Sequence, residues 1–187
     1  MMIEAFSDIA GAMGLSTSAG LNAYLPLLVV ALAARYTTLI QLNEPWDVMT
    51  SGWVIAVMVV LLLIEMTVDK IPVVDTINDS IQTIGRPLAG AVLFAASSGV
   101  VGDLHPVVAF SAGLIIAGGV HTVKTVARPA VTAATGGMGN WLVSFFEDVL
   151  SFITAVLALL VPLLVLLLIL AVILYVVWGR SDRSEET

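Results

Sequence analysis

Two pairs of carboxylates stand four residues apart in the stretch EMTVDKIPVVDTINDSIQTIGR, Glu65 with Asp69 and Asp75 with Asp79. On a helix that spacing puts each pair on one face. Pro72 lies between them and disfavours helix at Ile71, so two helical pieces meeting at an angle would gather up to four carboxylates around one bend. Oxygen ligands of this kind hold hard divalent cations, with Asp75 and Asp79 the metal-binding candidates, and paired carboxylates can also share a proton. The same residues also describe a solvated amphipathic linker lying on lipid headgroups, with Ile71, Val74, Ile77 and Ile81 turned down and the acids up. Glu65 differs from the others because Leu61 to Ile64 before it is purely apolar. An ionisable group at membrane depth is a functional candidate by default.

His121, Lys124 and Arg128 follow one another at spacings of three and four, which stacks them on one helix face. Ion pairs from Glu65 or Asp69 to Lys124 or Arg128 are the structural expectation. The functional alternative is a cradle for an anion or phosphate, helped by the amides of Gly136, Gly137 and Gly139. An ordinary helix-terminating turn shows the same glycines. Lys70 and Arg86 complete the set of counter-charges. Glu147 and Asp148 interrupt the apolar run WLVSFFEDVLSF. Adjacent helical residues face about 100° apart, so at most one of the two points readily into a bundle, and Asn140 and Ser144 extend the same stripe. Asn22 and Pro26 lie within STSAGLNAYLPLL. The proline frees the carbonyl of Asn22, whose side-chain amide is also at hand. Such a kink could coordinate a cation or be satisfied by a neighbouring helix.

These residues need helices that cross a bilayer to position them. Of 187 residues 59% are hydrophobic and 11% charged, with a mean hydropathy of +1.07, against roughly 45–50% apolar and about 25% charged in soluble domains. Such a chain cannot cover itself with a water-compatible surface. It contains no cysteine, so disulfides, thiolate metal sites and cysteine nucleophiles are excluded. The net charge of -7 says little about orientation, which follows Lys and Arg, and it argues against a nucleic-acid partner. Met1 to Ala12 lacks the pattern of a signal peptide and reads as a short, retained interfacial helix. Spans are expected at Ser16 to Ala34, Trp53 to Val68, Pro87 to Val101 and Pro106 to Val123. Trp141 to Trp178 covers about 57 Å at ~1.5 Å per residue, nearly twice one crossing, so two crossings with a turn near Pro162 are expected; the alternative makes Trp141 to Asp148 interfacial and the remainder one long tilted span.

The expected fold is therefore all-α. It is a polytopic transmembrane bundle of about six spans with kinked or broken helices, formed by residues 1–180 as a single domain before a disordered polar tail at 181–187. Six spans put Arg35 on one side and Lys70, Arg86, Lys124, Arg128, Arg180 and Arg183 on the other, which makes both termini cytoplasmic. Ser-Ala-Gly-Leu occurs at Ser18 to Leu21 and again at Ser111 to Leu114, compatible with an inverted repeat.

The combination of SAGLNAYLPLL, E-x3-DKIP-x2-D-x3-D, T-x2-RP-x-AG, H-x2-K-x3-R and a later S-x2-ED resembles the bacterial membrane proteins grouped as domain of unknown function 4126. The resemblance covers roughly Gly14 to Asp148. It implies a helical fold in the bacterial cytoplasmic membrane and draws attention to the charged residues above, without a substrate. Three functions fit the residues. The first is a transporter or channel for a small ion or solute, favouring a cation or proton coupling and allowing a homo-oligomer, in which Glu65 and Asp69 bind or relay. The second is a membrane enzyme or flippase acting on a phosphorylated lipid, in which the paired Asp residues could hold a divalent cation; no other cofactor is expected. The third is a structural or assembly subunit.

Overall fold

A computed structural model describes residues 2–68, 72–97 and 104–160. Among them are six α-helices and no strand: α1 (Met2–Leu21), α2 (Tyr24–Tyr36), α3 (Gly52–Val68), α4 (Pro72–Ser97), α5 (Pro106–Thr135) and α6 (Asn140–Leu160). A single 3₁₀ turn, Trp46–Thr50, precedes α3. The all-α expectation holds, and several boundaries move. Met1 to Ala12 is not a separate interfacial helix. From Met2 it is the first half of α1, and Ala10 and Ala12 are fully buried. The span expected to begin at Pro87 is the second half of a 26-residue helix that runs through that proline. Likewise α5 continues three turns beyond Val123, the expected end of that span, and it carries Lys124 and Arg128 on the helix face their spacing predicts. The two helical pieces expected on either side of Pro72 are present, α3 ending at Val68 and α4 beginning at Pro72, and the junction at 69–71 lies outside the described residues. The turn anticipated near Pro162 lies outside the described residues, as do Asp69, Lys70, Arg180 and Arg183.

Local chemistry sets the helix ends. His105 precedes Pro106 at the start of α5, and its Nδ1 accepts from Val107 N at 3.3 Å, a capping arrangement that suits a helix opening on proline. At the other end Gly136 adopts the left-handed conformation with φ 59°. Its amide and that of Gly137 both return to the carbonyl of Thr132, which closes the helix in a Schellman turn.

α1 is the central element, packed by α4, α5 and α6. Small residues make this possible: Gly20 of α1 meets Val120 and Ala117 of α5, and Gly90 of α4 meets Gly113 and Ala117. Hydroxyls tie the crossings. Ser16 Oγ donates to Gly90 O at 2.9 Å, Ser18 Oγ to Ser151 O at 2.7 Å, and Ser151 Oγ back to Ser18 O at 3.1 Å. Close backbone approach with hydroxyl cross-links is how helices associate where lipid offers no hydrophobic drive. A methyl group at Gly113 would lie 2.6 Å from Phe94 Cβ and 2.8 Å from Ala91 Cα, whereas one at Gly119 meets nothing within 4 Å. Gly113→Ala is therefore expected to destabilise the detergent-solubilised protein by about 2 kcal/mol. Gly119→Ala should leave the thermal midpoint unchanged or raise it, and an equal loss in both would contradict this packing.

The distribution of polarity is inverted relative to a water-soluble fold. Arg86, Glu65 and Ser144 are among the most completely buried side chains, while Trp53, Ile115, Val126 and Phe146 face outward at 64–74% exposure. Burying charge while presenting bulky aliphatic and aromatic groups suits acyl chains, not water. Among the described residues, α5 and α6 are long and apolar enough to cross a bilayer, and α2 and α3 are apolar but shorter. These helices, together with the apolar outward faces, suggest a membrane protein.

Candidate functional site

The expected kink near Pro26 is a complete break. α1 stops at Leu21, α2 starts at Tyr24, and Asn22 and Ala23 join them. Pro26 falls in the first turn of α2, where its missing N–H costs nothing, so the interruption lies upstream of the proline. A break leaves donors at one helix end and acceptors at the other without intrahelical partners. Three side chains supply them. Asn22 Oδ1 accepts from Leu25 N at 2.9 Å and Tyr24 N at 3.2 Å, capping α2. The Glu65 carboxylate, reaching across from α3, accepts from Ala23 N at 3.1 and 3.2 Å and from Tyr24 N at 3.4 Å. The Lys124 ammonium of α5 donates to Leu21 O at 3.3 Å, at the end of α1. An anion thus meets the positive end of α2 and a cation the negative end of α1, as the helix dipoles require.

Around this break the charges are paired. Arg86 of α4 grips Glu65 Oε1 through Nε at 3.2 Å and Nη2 at 3.1 Å, with both side chains at 0% exposure. Its Nη1 lies 3.1 Å from His121 Nδ1, and His121 Nε2 faces Thr83 Oγ1 at 3.3 Å and Thr125 Oγ1 at 3.4 Å. Glu147 of α6 takes both Lys124 at 3.1 Å and Arg128 at 2.6 Å. Asn22 Nδ2 donates to Asp148 Oδ1 at 2.9 Å. Around the break, Glu65, Glu147 and Asp148 therefore stand against Arg86, Lys124 and Arg128. Charge balance of this kind is what allows ionised groups to remain at such depth.

Measured against the sequence reading, the structure brings together Asn22, Glu65, Arg86, His121, Lys124, Arg128, Glu147 and Asp148. The pairing differs from expectation. Glu65 bonds Arg86 instead of Lys124 or Arg128, which are taken by Glu147. The reason is position: α4 passes beside Glu65, while α6 delivers Glu147 to the basic stripe of α5. Asp148 is buried at 4% exposure and Glu147 sits at the rim with 15% of its side chain exposed, as the 100° separation of neighbours requires. Arg86, Lys124 and Arg128 are buried, so the loop rule for basic residues cannot draw orientation from them. The glycine nest is not formed. The amides from Gly136 to Asn140 all donate within the turn, to Thr132 O, Thr135 O, Thr135 Oγ1 and Gly137 O, which leaves none for an anion. Asp69 and Lys70 lie outside the described residues, and so do the side chains of Asp75 and Asp79. Among the described residues no three His, Asp or Glu side chains group as a metal site would need.

Several contributors escape the sequence reading. Ser18, Thr83, Thr125 and Ser151 join the polar core, and the backbone amides of Ala23 and Tyr24 carry no signal of their own. The inward stripe of α6 is visible in part: Asn140, Ser144, Asp148 and Ser151 recur at spacings of four, four and three, and all are buried. Continuing Asn140 and Ser144 past Asp148 reaches Ser151.

A comparison with curated proteins and another with solved structures give no match. Residues 9–181 match the family described as Domain of unknown function (DUF4126), and with nearly the whole chain covered, including every residue of the network around the break, the protein belongs to that family.

Proposed function

We propose that the protein is a transporter or channel for a small ion or solute, with a cation or proton coupling favoured, and that the helix break is its working element. The observation that carries this reading is the pair of opposed helix ends at Leu21 and Ala23, held by Lys124 and Glu65 amid a charge-balanced cluster. Interrupted helices whose ends face charged groups are a recurring device of membrane carriers, because irregular backbone survives at depth only where protein or a polar path satisfies it. The proposal includes a six-span arrangement in a bacterial cytoplasmic membrane with both termini cytoplasmic. The apolar run beyond Leu160 would supply the return crossing.

The test is flux. Purified protein in proteoliposomes, under imposed proton, sodium or potassium gradients, is expected to move ions well above protein-free vesicles. Glu65→Gln keeps the size and one acceptor of the carboxylate and should reduce flux by about tenfold or more if its charge participates. The rival reading as a structural subunit is favoured by the ion pairs that tie Arg86 to Glu65, and Lys124 and Arg128 to Glu147. It predicts no flux from either protein, with the variant altering only stability.

A further inference from the structure

Arginine has five N–H donors and no acceptor, so the nitrogen that faces Arg86 Nη1 at 3.1 Å must present a lone pair. That nitrogen is His121 Nδ1. The imidazole proton then sits on Nε2, which among the described side chains faces Thr83 Oγ1 and Thr125 Oγ1 as acceptors. Arg86 has thereby chosen the tautomer of His121. The ring is 3% exposed, and its described partners come from α4 and from α5 itself. From α4 it faces Arg86 and Thr83, with Asp79 the position one turn before Thr83. Glu65 of α3 stands behind Arg86, and on α5 itself Lys124 and Thr125 flank the ring. α1 passes this part of α5 through uncharged Gly20.

We infer that His121 Nδ1 is a proton-binding site in competition with Arg86, and that filling it loosens the helix break. A proton taken from water onto Nδ1 gives an imidazolium with a donor aimed at a guanidinium, two cations in hydrogen-bond range. Arg86 must then withdraw. Glu65 loses at the same moment the guanidinium that donates twice to its Oε1, and Glu65 is what holds Ala23 N and Tyr24 N at the start of α2. The chain of contacts runs from imidazole to guanidinium to carboxylate to the backbone of the break, with no gap between members. The inference needs only the break and does not depend on the protein being a transporter.

Two measurements test it. In uniformly ¹⁵N-histidine-labelled protein, with His105 assigned by a His105→Gln variant, His121 should show an unprotonated Nδ1 and a protonated Nε2 at neutral pH. A protonated Nδ1 there overturns the proposal. The second uses the absence of native cysteine. Leu25→Cys reports on the break and Leu93→Cys on the core of α4, both being buried positions. Alkylation rates are read relative to the unfolded protein as pH falls from about 8 to about 5, the range that spans imidazole protonation. Leu25→Cys should label faster on acidification, by up to about tenfold per pH unit, the limit for one linked proton. Leu93→Cys should stay protected. His121→Asn, which keeps an acceptor for Arg86 but cannot be protonated, should abolish the acceleration. A flat response at Leu25→Cys, an acceleration that persists in His121→Asn, or equal opening at Leu93→Cys would each overturn it, and none of these outcomes bears on flux.

Discussion

Arg86→Ala is expected to be the most damaging single substitution in the described part of the chain, at about 3–5 kcal/mol. The size follows from what it leaves behind. Glu65 remains at 1% exposure with a charge that Arg86 meets through two bonds, and His121 Nδ1 loses the donor it faces. Reaching water would mean pulling the carboxylate away from Ala23 N and Tyr24 N and so uncapping α2. Glu65→Ala should cost a similar amount for the reciprocal reason, an orphaned guanidinium. The diagnostic variant is the double one. Glu65→Gln with Arg86→Met removes both charges while keeping volume and one acceptor for the break, and it should recover at least half of the loss, because most of the penalty in either single variant is the unpaired partner. Fluorescence-detected size exclusion after a heating series reads this directly. Strict additivity of the losses in Glu65→Gln and Arg86→Met made singly, the other two corners of this cycle, would mean that the groups do not depend on each other.

Much of this arrangement is legible in the sequence because it is local. His121, Lys124 and Arg128 share a face by spacing alone, and all three are buried on α5 as that stripe. Pro72, Pro106 and Gly136 announce helix ends through fixed φ, the missing donor and left-handed backbone. Asn22 is marked by its proximity to Pro26. What cannot be read is set by packing over long sequence separations. Whether Glu65 meets Arg86 or Lys124 depends on how close α4 runs to α3, and nothing within either segment states that. The full length of α1 escapes for a related reason. MIEAFSDIAGAMGLSTSAGL has no strong apolar run, yet Ala, Gly and Ser are the residues a central helix needs when others pack on it closely. Hydropathy finds helices that face lipid and overlooks one whose described side chains are mostly covered by other helices. Pro87 reads as a start signal, but a proline already inside a packed helix removes one hydrogen bond without ending it. The repeated Ser-Ala-Gly-Leu also divides: both glycines make close crossings, at Val120 and at Gly90, but only the first copy ends at a break, while the second lies inside continuous α5.

Asn22 offers the sharpest test of the break itself, because its two side-chain atoms do separate jobs. Oδ1 caps α2 through Tyr24 N and Leu25 N, and Nδ2 binds Asp148 of α6. Asn22→Leu loses both and is expected to cost about 3 kcal/mol, combining a lost cap of ~1 kcal/mol with buried groups left unmatched at ~2 kcal/mol. Asn22→Asp separates the two. It preserves the capping acceptors, and a carboxylate suits a helix N-terminus better than an amide. It also sets one carboxylate against another where a 2.9 Å hydrogen bond stood. If capping dominates, Asn22→Asp should be nearly as stable as the parent. If the link to α6 matters as much, it should be destabilised at neutral pH and recover on acidification, when the pair can share one proton. We expect the second result, since Asp148 is buried and its carboxylate cannot turn to water. The exchange Asn22→Asp with Asp148→Asn then reverses the direction of the bond. The amide introduced on α6 donates to the carboxylate introduced at the break, which still caps α2, and most of the stability should return without acid. Failure of that exchange to improve on Asn22→Asp would show that α6 does not hold the break through this contact.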